Sequence, residues 1–97
     1  MNVKLKKYLT KCNLTDNEIK DLKFIAPMID DIEFEVFEKN CKTLIDFGYP
    51  KVDLSFLINA NPNIFVLPNQ ELVKDLKSLS KQYDNIELAL KNNPFLI

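Results

Sequence analysis

The sequence predicts an all-α protein of three stacked long–short helical repeats, a short α-solenoid in which each short helix is ended by a proline. Three observations predict it. Apolar residues recur in steps of three and four through most of the chain, which is the helical period. Glycine occurs once in 97 residues, whereas many-stranded folds need it in hairpins and bulges. The third is a shared apolar frame around Pro27, Pro62 and Pro94. Eight residues before them stand Ile19, Leu54 and Ile86; five before, Leu22, Leu57 and Ala89; two after, Ile29, Ile64 and Leu96. The prolines lie 35 and then 32 residues apart, the range of helical repeats.

Each element then follows in order. A first helix over about 3–12 carries Leu5, Tyr8, Leu9 and Cys12 on one side. A short helix over about 16–25 opens with Thr15-Asp-Asn-Glu18, a capping box in which Glu18 reaches back to the Thr15 amide. Phe34, Phe37, Cys41, Leu44 and Ile45 form the stripe of a long helix over about 31–47, with Gly48 at the left-handed position that ends it. A second short helix is expected over about 53–60. Leu72, Leu76, Leu79 and Tyr83 give a third long helix over about 69–83, with Pro68 at its first turn. Asp84-Asn-Ile-Glu87 repeats the cap spacing, with Asp84 as the cap of a last short helix over about 85–92. The prolines end the short helices because proline lacks an N–H and pushes the residue before it out of the α region.

At this length the chain is one domain, residues 1–97, divided into repeats of roughly 1–30, 31–65 and 66–97. A lone long–short pair cannot bury its apolar stripe; roughly three stacked pairs share a continuous core.

Composition narrows the function. There are thirteen basic and fourteen acidic residues, and every basic residue is a lysine. Arginine is the usual residue for bidentate reading of guanine and phosphate, so specific nucleic-acid readout would have to work without it. Without histidine the usual base at neutral pH is absent, and no glycine-rich loop is present to cradle a phosphate. The chain is therefore not expected to be an enzyme, to hold a cofactor or metal, or to take a small-molecule substrate. Cys12 and Cys41 fall at apolar helical positions and are expected as buried free thiols. No stretch is apolar for long enough to span a membrane, and the N-terminal residues have no long apolar run, so the expected compartment is the cytoplasm.

Asn61-Pro62-Asn63-Ile64 and Asn93-Pro94-Phe95-Leu96, with Leu72, Leu76 and Leu79 between them, form an Asn-Pro-x-Leu/Ile pattern followed by a helix with Leu-x-x-Leu; Ala26-Pro27-Met28-Ile29 is a third copy. The pattern resembles the mitochondrial transcription-termination-factor family. The resemblance implies two helices and a 3₁₀ turn per repeat, stacked into a curved array that binds double-stranded nucleic acid.

Three surfaces are candidates for contact. Lys4, Lys7 and Lys11 share one helical face, with Lys6 beside them, in a segment 1–23 of net charge +3, a strip suited to phosphates. Asp31, Glu35 and Glu38 are expected on one face of the second long helix, within a segment 24–50 of net charge −4, suited to a basic partner. Phe95, Leu96 and Ile97 follow the third proline, where they fold back on the core or meet a partner. The function expected is a non-catalytic helical-repeat binding module. Near-neutral charge and absent arginine favour a protein partner or self-association over nucleic acid. A nucleic-acid-associated regulator of transcription and a small acidic inhibitor of a nucleic-acid-binding enzyme are the alternatives.

Overall fold

The computed structural model describes residues 1–97 and is entirely helical. Its α-helices are α1 (Val3–Lys11), α2 (Asp16–Ile25), α3 (Phe34–Asp46), α4 (Leu54–Ala60), α5 (Asn69–Gln82) and α6 (Ile86–Asn92). Four 3₁₀ turns punctuate them: η1 (Pro27–Asp30), η2 (Lys51–Asp53), η3 (Pro62–Val66) and η4 (Pro94–Leu96). A pair of helices followed by a proline-led 3₁₀ turn thus occurs three times, the second time with η2 inserted between the two helices. The expected long–short alternation holds in the second and third pairs but not in the first, where α1 has 9 residues and α2 has 10.

The three proline turns have one geometry. Ala26, Asn61 and Asn93 stand at φ/ψ of −138/75, −148/77 and −146/93. Each still donates its N–H to the carbonyl four residues back, on Leu22, Leu57 or Ala89. The following proline forbids the α conformation at that residue and needs no N–H partner of its own. It therefore starts a 3₁₀ turn, which carries Ile29 and Ile64 to full burial and Leu96 to half-burial.

α1 and α3 also end alike. After α1, Asn13 adopts φ 70 and the Leu14 N–H reaches the Leu9 carbonyl at 3.1 Å. After α3, Gly48 adopts φ 105 and the Tyr49 N–H reaches the Leu44 carbonyl at 2.9 Å. Both are left-handed caps with a buried residue next in line, Leu14 or Tyr49. α5 ends instead in extended backbone at Tyr83, with φ −128 and ψ 132. No cap loop or η2 intervenes before α6, which accounts for the shorter second spacing of the prolines.

Four expectations are corrected. α3 begins at Phe34 rather than near 31, because η1 runs to Asp30 and Glu33 is extended (φ −69, ψ 136), which leaves Asp31 outside the helix. Ile32 in this link packs on the core, holding the chain in its detour. The cap of α6 is Asn85, whose side chain accepts from the Leu88 N–H, and not Asp84. Pro68 stands at the N-cap of α5 rather than in its first turn. Tyr83 lies beyond α5 and is exposed, so it does not extend that helix's apolar stripe. The Thr15–Glu18 capping box is present in full.

α3 lies between α1 and α5. Tyr8 of α1 packs edge-on against Phe34 and Phe37, at centroid distances of 5.6 and 6.3 Å. On the other side Phe37 stacks on Phe65 of η3 at 5.2 Å. The short helices are linked in series: the Asn59 side chain of α4 donates to Glu18 of α2, and Lys91 of α6 donates to Asp53 at 2.8 Å. Asn40 and Asn61 are the buried polar residues of the core, and both are satisfied. Asn40 donates to the Phe65 and Leu67 carbonyls at 2.9 Å each; Asn61 donates to the Pro94 carbonyl at 2.9 Å.

Candidate binding surfaces

The middle long helix shows solvent a single stripe. Along α3 only Glu35, Lys39, Lys42 and Asp46 are exposed, because its other sides are covered by α1, η3 and α5. Glu38, half-buried, pairs with Lys42 at 3.5 Å. On α1 the expected Lys4, Lys7 and Lys11 are exposed and form no ion pair. On α5, Lys74, Lys77 and Lys81 line an open groove of about 360 Å³ with Gln70, Val73 and Ser78, and they are likewise unpaired.

The lysines of α3 and α5 lie outside the expected strip on α1, although the sequence carries a signal for them. Lys4, Lys39 and Lys74 are spaced by 35 residues, as are Lys7, Lys42 and Lys77, and Lys11 and Lys81 flank Asp46 at the same interval. Spacing of charged residues carries information only once the apolar frame has set the repeat length.

The acidic trio is not carried by one helix, as Asp31 lies outside α3. Asp31 caps η1, Glu35 is on the exposed stripe of α3, and Glu38 is engaged with Lys42. Asp30 beside them takes the Met1 ammonium at 3.1 Å.

The apolar tail divides. Leu96 and Ile97 are half-buried against the core, and Phe95 is 69% exposed. Phe56 on α4 and Leu88 on α6 are also exposed, each three residues into its short helix from Asp53 or Asn85.

Cys12 and Cys41 are free and buried. Burial pushes the Cys41 thiol up to about 12 and raises Cys12 as well, so both stay protonated and unreactive near neutral pH. Burial also raises the Tyr8 hydroxyl, which neighbours Cys41. Lys91 is held well above its ordinary value by its hydrogen bonds to Asp53 and Glu87, a cross-link between helices. No group of His, Cys, Asp or Glu side chains is arranged to hold a metal ion, and no helix is long and apolar enough to cross a membrane. Comparison with protein-family models, curated proteins and solved structures finds no match.

Proposed function

We propose that this chain is a non-catalytic binding module, a short solenoid of three two-helix units, in which α1, α3 and α5 together contact the phosphate backbone of a nucleic acid. Support for three units comes from the common geometry of the turns at Ala26, Asn61 and Asn93, the matching caps after α1 and α3, and the serial links between short helices. The 3₁₀ turn after each short helix also supports a relation to the mitochondrial transcription-termination-factor family.

The observation that carries the proposal is the lysine stripe. Stepping 35 residues either way from Lys39 and Lys42 on the exposed stripe of α3 leads to Lys4 and Lys7 on α1 and to Lys74 and Lys77 on α5. In stacked units, matching positions face the same way. Neighbouring helices stand about 8–10 Å apart, and lysines three or four residues apart rise about 4.5–6 Å along a helix. In this arrangement six lysines gather on one side of α1, α3 and α5; Lys42 is paired with Glu38, and on α3 the exposed Glu35 and Asp46 flank Lys39 and Lys42. The overall charge of −1 conceals this, since it averages over faces that a ligand does not touch.

Lysine without arginine positions a duplex rather than reading it. The expected affinity is non-specific, roughly 10⁻⁴–10⁻⁶ M at physiological salt. Fluorescence anisotropy with labelled duplex DNA and RNA at two salt concentrations tests this. Lys7→Gln, Lys42→Gln and Lys77→Gln should each reduce the salt slope by roughly one. Absence of binding at low salt, or binding indifferent to all three substitutions, would overturn the proposal.

A protein partner is the second reading, favoured by the exposure of Phe56, Leu88 and Phe95, large apolar side chains on α4, α6 and η4. The acidic-inhibitor reading has the least support, because Asp31 lies outside α3 and Glu38 is half-buried and paired with Lys42.

A further inference from the structure

The two ends of the stack complement one another, given the three-unit reading above. Inside the chain each short helix reaches back to the one before it, through Asn59 to Glu18 and through Lys91 to Asp53. At the proline spacings of 35 and 32 residues, Phe24 matches Asn59 and Lys91, and Asn85 matches Glu18 and Asp53. Phe24 thus stands where a residue reaches toward a preceding unit, and it is 83% exposed. Asn85 stands where such a residue is received. It lies in an open hollow of about 320 Å³ bordered by Tyr83, Leu88, Ala89, Asn93 and Leu96. For scale, an apolar cavity of about 150 Å³ accepts benzene.

At the two ends, α1 and α5 match in charge. Cys41 is on the side of α3 that meets Tyr8 of α1; the residue 35 places earlier is Lys6, which is exposed. Lys6 lines a hollow with Lys20, Lys23 and Asp16, a net positive group. Asn40 and Thr43 are on the side of α3 that meets α5, through Asn69; the residues 35 places later are Asp75 and Ser78, both exposed. One end therefore offers Lys6 and Phe24, and the other offers Asp75 and an apolar hollow.

We infer that a second copy of this chain docks head to tail, with α1 and α2 of one copy on α5 and α6 of the next, Phe24 entering the hollow beside Leu88 and Lys6 meeting Asp75. The contact takes the place that the two internal joints hold within the chain, with Phe24 and the hollow standing in for a side-chain donor and its carboxylate. It is heterologous and does not close, which makes the assembly open-ended. Its half between α1 and α5 is polar, so the association is weaker than the internal joints and is screened by salt.

Sedimentation velocity over a range of concentrations tests the inference, with Lys6→Glu and Asp75→Lys as variants. Both residues are exposed, and thermal melts check that both variants stay folded. The average mass of the unaltered chain should rise with concentration past the dimer and fall with added salt. Each variant alone should associate roughly tenfold more weakly. An equimolar mixture of the two should recover association past the dimer, because the intact Lys6 and Asp75 ends meet at one junction and the two substituted ends, again opposite in charge, meet at the next. An unaltered chain that remains monomeric, one that stops at a closed dimer, or a mixture no larger than its components would each overturn the inference. Lys7, Lys42 and Lys77 lie outside both ends, so their effect on duplex binding reports on the proposed function separately.

Discussion

The joint between α1 and α3 and the joint between α3 and α5 hold corresponding places in the fold, yet they are built from different chemistry. The first is aromatic: Tyr8 meets Phe34 and Phe37 edge-on, with interplanar angles of 71° and 79°, and Cys41 lies beside its hydroxyl. The second is organised by a polar residue with no exposure. Asn40 binds the Phe65 and Leu67 carbonyls, and Asn69 donates to Asn40 at 3.0 Å and to Thr43 at 2.8 Å. Apolar packing is non-directional and admits volume-conserving change. A satisfied buried network allows one arrangement and loses several partners together when one member is removed. The first joint therefore supplies cohesion, and the second sets how the segment from η3 into α5 is laid against α3.

Phe37 belongs to both joints, so its removal should produce the largest effect. Phe37→Ala is expected to cost about 3–5 kcal/mol in urea unfolding, as for other fully buried aromatic residues. A loss below about 1 kcal/mol would mean that the two joints do not share a core.

Asn40→Ala tests the polar joint alone. It strips the Phe65 and Leu67 carbonyls of their donor in a buried setting, at a cost of about 1–3 kcal/mol. Hydrogen exchange should quicken first at the start of α5, where Asn69 loses its acceptor, and leave α1 protected. Equal loosening of α1 and α5 would erase the distinction between the joints.

The smallest effect separates the joints by pH. Cys41 is held at about 12 in the folded chain against an ordinary thiol value of 9.0. A raised value means that stability is full below the ordinary value and is lost as pH climbs from there toward the folded one. At pH 10 the loss from this group is about 1 kcal/mol, and Cys41→Ala should remove that part of the alkaline decline. The Asn40 joint has no titrating member, so Asn40→Ala should leave the decline unchanged.

Much of the helical framework could be read in advance because its signals are local. Thr15 and Glu18 are three residues apart, Gly48 directly follows its helix, and each proline acts on its own neighbour. The misjudged positions each involve a competing choice among adjacent residues. Asp84 and Asn85 are both good caps, and only Asn85 has its oxygen at the Leu88 N–H. Asp31 fits the front of an acidic helix by period, but Ile29 and Ile32 both need the core, and η1 with the extended Glu33 satisfies them where a continued helix would not. Asn13 gave no glycine to mark its left-handed cap, although asparagine tolerates that conformation better than most residues.

The candidate surfaces were less legible. Lys4, Lys7 and Lys11 were identifiable as a face of one helix, which needs only the helical period. Lys39, Lys42, Lys74 and Lys77 repeat the 35-residue interval in the sequence, but their exposure depends on how α3 and α5 are packed, a relation between elements that no single helix encodes. The same holds for Asn61, an ordinary residue before a proline until its side chain meets the Pro94 carbonyl 33 residues away.

By itself the sequence determined the helix class, the approximate ends of all six helices and the places where the chain must turn. Periodicity, caps and proline sterics act over a few residues and are indifferent to the rest of the fold. Only the tertiary structure decided which charges are paired, which asparagines are buried and which large apolar side chains are left exposed. Those properties depend on what lies opposite each residue once the helices have stacked, and a side chain 25 or 33 residues away is brought opposite by packing, not by its position in the chain.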